Sequence, residues 1–146
     1  HWRQWFAAAP AEVLSLPLGP GSDEVLRDLV KHVFAVELRY AQRLVGQPET
    51  DYADLADADV AALWQIHARA VALRDGWLAA AGTEELDRML TFQTRRAGTL
   101  QARAHAVVVH TYVHSIRHWA QIATLLRQHG HGGLWQHDWL LNPAVR

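Results

Sequence analysis

The run HTYVHSIRHWAQ sets His110, His114 and His118 four residues apart. At about 100° per residue, a step of four turns a helix by only about 40°, so the imidazoles share one face. Gln121 returns to that stripe, as does Arg103 upstream, and Val107, Ile122 and Leu125 are the neighbours that would seal it into a core. A polar ladder in an apolar face is costly unless each group has a partner. A metal ion satisfies several neutral imidazoles at once. His114 and His118 form an HxxxH pair, whose spacing lets two imidazoles hold one ion. Taken alone, the pair reads equally well as two structural histidines.

A third ligand has to come from another helix. His32, mid-helix among apolar neighbours in LVKHVFAVEL, is the best candidate, although by itself it reads more readily as a hydrogen-bonded core histidine. His110 is not expected to join the same ion, because eight helical residues separate it from His118 by about 12 Å. His110 and Gln121 are instead expected to hydrogen-bond around the ligands or to line a pocket. Glu37 reads as a surface charge. Arg103 and Arg117 could meet a substrate carboxylate, but arginine on a helix edge is usually solvated. His67, His105, His129, His131 and His137 carry no spacing argument.

The elements that must position these residues read as helices broken by glycine and proline. Residues 2–13 are short and amphipathic, and the prolines and glycines of LPLGPGS mark a loop. Ser22 looks like the N-cap of a second helix, followed by Asp23 and Glu24 at the positive end of its dipole. Leu26, Leu29, Val30, Val33, Phe34, Leu38 and Ala41 keep the helical period to Val45, with Gly46 as the stop. A polar connection over 47–57 leads to a third helix over 59–81, with Leu63, Trp64, His67, Val71 and Leu78 in its periodic part and Gly82 at its end. A short β-hairpin is expected around residues 95–98, then a long helix over 100–128 closed by Gly130. The tail from His131 is not clearly helical. All-α architecture with four helices argues a four-helix bundle over a single domain, 1–146.

Composition removes whole classes of function. With 14 basic and 15 acidic residues and a formal charge of −1, the chain offers no electrostatic footprint for nucleic acid or an anionic membrane. It has no cysteine, so disulfides, thiolate zinc sites and a cysteine nucleophile are excluded; this fits a cytoplasmic setting. Neither an 18-residue apolar stretch nor a signal peptide is visible, and no membrane association is expected. A di-iron carboxylate bundle needs Glu-x-x-His pairs, and there are none.

The segment VVVHTYVHSIRHWAQIATLLRQHG resembles the C-terminal helix of the DinB/YfiT-like family, whose signature is H-xxx-H-xxx-H-xx-Q before a leucine-rich turn and glycine. LVKHVFAVELRYAQRLVG is similar to that family's second helix, with a histidine, a glutamate five residues on, and an aromatic. The likeness runs from residue 2 into the tail, and it is not to the DNA polymerase of the same name. It implies a four-helix bundle in up-down-down-up order, holding one divalent ion (zinc, nickel or iron) through His32, His114 and His118. Trp119 and Ala120 stand where the family pattern has arginine-glycine, which marks a branch. Characterised members include thiol S-transferases and a thiol-dependent isomerase. The resemblance therefore implies a stress-associated metalloenzyme that activates a low-molecular-weight thiol, or water, toward a small-molecule substrate. A non-catalytic module with a structural ion is the alternative, and a homodimer is compatible with either.

Overall fold

The computed structural model describes residues 1–94 and 97–132. It is mostly helical: α1 (Trp2–Ala8), α2 (Leu26–Leu44), α3 (Val60–Ala80), α4 (Thr83–Asp87) and α5 (Ala104–Gln128), with strands β1 (Met89–Thr94) and β2 (Gly98–Arg103) between α4 and α5. α2 packs against both α3 and α5, and α1 lies against α3.

Helix boundaries follow local chemistry, not always where the sequence suggested. α1 stops at Ala8 instead of running to residue 13, because Pro10 drives Ala9 into an extended conformation, ψ 153°. A 3-10 turn, Ala11–Ser15, follows. Ser22 does not cap α2. Residues 16–26 fold back on themselves, with Leu26 N–H donating to Leu16 C=O (2.8 Å) and Leu18 N–H to Glu24 C=O (3.0 Å). Ser22 turns to Glu24, and Asp28 caps the helix by accepting from Val25 N–H at 2.8 Å. Gly46, at φ 69°, ends α2 as expected: it takes the left-handed conformation while Gln47 N–H reaches back to Gln42 C=O. Asp59 caps α3 through Ala62 N–H at 2.8 Å.

The expected hairpin is present, antiparallel and in register from Met89↔Arg103 to Thr94↔Gly98. Because β2 takes residues up to Arg103, α5 begins at Ala104 and not at Leu100. The short α4 was not anticipated.

The core lies between α2, α3 and α5, where Val30, Phe34, Leu63, Ile122 and Leu126 are almost wholly buried. On α3 the core face carries Ile66, Ala70 and Trp77, while Leu78 is exposed. Its polar residues, Gln65, His67, Arg69, Arg74 and Asp75, are spread around that helix, so its periodicity picks no face. A second cluster of Leu44, Trp77, Leu90, Ala104 and Val107 seats the hairpin against the helices. No helix among the described residues is long and apolar enough to cross a membrane.

Candidate metal centre

His32 stands in the middle of α2; His114 and His118 stand one turn apart on α5. Packing of the two helices brings the three half-buried rings together. The His32 ring centroid is 5.0 Å from each of the others, and those two are 4.4 Å apart. His114 Nε2 lies 3.1 Å from His32 Nε2 and 3.2 Å from His118 Nε2. One ligand atom from each residue falls within 4.8 Å of the other two.

A neutral ring nitrogen carries either one proton or one lone pair. His114 Nε2 therefore cannot make two full hydrogen bonds to the nitrogens on either side, whichever tautomer is chosen. A cation resolves this by accepting all the lone pairs at once. With Zn–N bonds of about 2.0–2.1 Å, tetrahedral coordination sets ligand nitrogens about 3.3 Å apart, close to the spacing around His114. The donor set fits a divalent ion, and the cluster could hold one.

Neighbouring groups aim the lone pairs. Gln121 Oε1 accepts from His118 Nδ1–H at 2.6 Å. This leaves the His118 Nε2 lone pair pointing into the cluster, as at metal-bound histidines whose other nitrogen is held. His114 Nδ1 is buried with no hydrogen-bond partner among the described residues, so the ring's hydrogen-bonding contacts there are those of Nε2. Burial pushes the His114 pKa down to about 4. The neighbouring His118, His32 and His110 act in the same direction, and Glu37 opposes them. His114 is therefore neutral, with a lone pair to offer, throughout the neutral pH range.

The other sequence candidates fall around this centre. His110 is exposed; its ring lies 5.9 Å from that of His114 and edge-on to Tyr40 at 5.2 Å. Arg103 belongs to β2 and turns to Asp87, away from the cluster. Trp119 stacks on Trp2 with centroids 4.7 Å apart and also meets Phe34 and Trp64. The residue that departs from the family pattern thus anchors α1 to α5. An open groove of about 340 Å³ adjoins the site, lined by Leu18, Ala120, Gln121, Thr124, Leu125 and Gln128. The tail tryptophans and His137 lie outside the described residues.

Glu37 is not a surface charge. It is 7% exposed; its Oε1 accepts from Ser115 Oγ–H and its Oε2 from His67 Nδ1–H, both at 2.7 Å. One carboxylate thus ties α2 to α5 and to α3. Sequence reasoning overlooked the trio, although a signal was there: Glu37 occupies a core position of the stripe Val30–Phe34–Ala41–Leu44.

No curated protein matches the chain. The family model described as the DinB family matches residues 1–140. With nearly its whole length matched, and histidines from two packed helices meeting as that pattern leads one to expect, the chain belongs to the DinB family.

Proposed function

We propose that this protein holds one divalent ion through His32, His114 and His118 and uses it to activate a small thiol, or water, for attack on a small electrophile. The observation behind this reading is the meeting of three ring nitrogens in which His114 Nε2 cannot hydrogen-bond fully to both of its neighbours. When bound, such an ion supplies Lewis acidity that makes a thiol or water easier to deprotonate near neutral pH. Three protein ligands leave a position for the reacting molecule, as in catalytic rather than structural sites.

The chain's own residues supply the rest. Gln121 fixes the His118 tautomer and also lines the adjoining groove, so it can bind the body of a thiol while it orients a ligand. His110 stands beside His114 at the exposed edge, within reach of a substrate. The thiol proton passes to solvent water, the sulfur forms its bond to the electrophilic carbon, and the leaving group departs with the electron pair of the bond that breaks. Thiol transfer is favoured over hydrolysis because the family includes thiol S-transferases. We take α1, α2, α3 and α5 as that family's four-helix bundle, in up-down-down-up order within one domain.

Metal analysis and turnover test this together. Wild-type protein should carry about one ion per chain, and alanine at His32, His114 or His118 should abolish stoichiometric binding. The loaded protein should consume a chromogenic electrophile with at least one low-molecular-weight thiol, faster than His118→Ala does. Full metal content in all three alanine variants would place the site elsewhere. Rates equal to the variant's across the thiol panel would remove thiol transfer.

A further inference from the structure

Three neutral imidazoles leave the whole charge of a divalent ion uncompensated in a half-buried site, and charge away from water is unfavourable unless an opposite charge lies near. Among the described residues, Glu37 is the one acid that is buried. It stands on α2, five residues after His32, and bonds Ser115, the residue that follows His114 on α5. It therefore sits in the interface of the two helices that carry the ligands. We infer that Glu37 is the counter-charge of the metal centre, a positioning residue that raises affinity for a divalent cation and is itself held in place by Ser115 and His67.

Burying a carboxylate is strongly unfavourable unless its oxygens are hydrogen-bonded. Here each oxygen has its own donor at 2.7 Å, so Glu37 stays in the interior, with a fixed orientation. Ser115 spends its one hydroxyl proton on Glu37 and His67 its Nδ1 proton, which gives both residues a role that helix packing alone does not require.

The inference rests on the metal reading above, and the test separates the two. Co²⁺ and Cu⁺ affinities are measured by chelator competition, Cu⁺ under reducing conditions, for wild type and Glu37→Gln. Glutamine keeps the shape, still accepts from Ser115, and can donate to His67 once that ring changes tautomer; only the charge is lost. A counter-charge acts with twice the energy on a divalent as on a monovalent ion. The Co²⁺ loss should therefore be about the square of the Cu⁺ loss, on the order of a hundred-fold against ten-fold. Equal losses for both ions would mean that Glu37 merely shapes the site, and unchanged or tighter binding would also overturn the inference. If wild type binds neither ion, the metal reading itself fails. Should Glu37→Gln not fold, the apolar triple variant Glu37→Leu/His67→Phe/Ser115→Ala removes charge and donors together and is judged by the same ratio.

Discussion

A half-buried histidine that stays neutral presents its lone pair to a metal without first losing a proton, and His114 is such a residue. Its depressed pKa, about 4, also has a consequence for the metal-free protein. The unfolded chain binds a proton at this residue near pH 6.5, whereas the folded one resists it until about pH 4. Between those values the unfolded state holds more protons, so stability increases with pH. The His114 contribution should be complete above about pH 6.5, decline as pH falls, and level off below about 4. Chelator-treated wild type and His114→Phe, melted from pH 4 to 8, check this. The wild type should lose more of its melting temperature across that window, and parallel curves would contradict the assignment. Residue type and spacing sufficed to find His114 and His118. Spacing also put Glu37 on the core stripe of α2, but nothing local showed what would hold a carboxylate there, because its two donors come from α3 and α5, 30 and 78 residues away.

At the level of elements, helix ends are set by short-range chemistry and can be altered singly. Asp59 accepts Ala62 N–H at the start of α3, so Asp59→Ala should cost about 1 kcal/mol. In denaturant melts the midpoint should fall without a change in slope, and an unchanged midpoint would mean that α3 does not depend on its cap. Gly46 and Gly130 could be read as helix stops because left-handed turns, at φ 69° and 81°, suit glycine. The start of α2 could not be read in this way. Ser22, Asp23 and Glu24 form a good N-cap pattern, yet the backbone pairing of Leu16 with Leu26 and of Leu18 with Glu24 keeps those residues out of the helix. A local preference yielded to a contact made ten residues apart.

In the molecule as a whole, the proposed ion joins α2 to α5 across 82 residues of sequence between His32 and His114. Because it would bind only the folded arrangement, it should stabilise by RT ln(1 + [M]/Kd), about 2.7 kcal/mol at a hundred times Kd. Melting temperature at pH 7.5 should rise with added metal and fall with chelator. Superimposable curves would separate the centre from the stability of the fold. Helical class, the hairpin, the stops at Gly46 and Gly130 and the histidine ladder were legible from residue order, since each depends on neighbours within a turn or two. Packing between helices chose the buried face of α3, stacked Trp119 on Trp2 and buried Glu37 between α2, α3 and α5. A helix whose polar residues are spread around it carries no preference for one face, and a carboxylate is stable in the interior only when donors from other helices reach it.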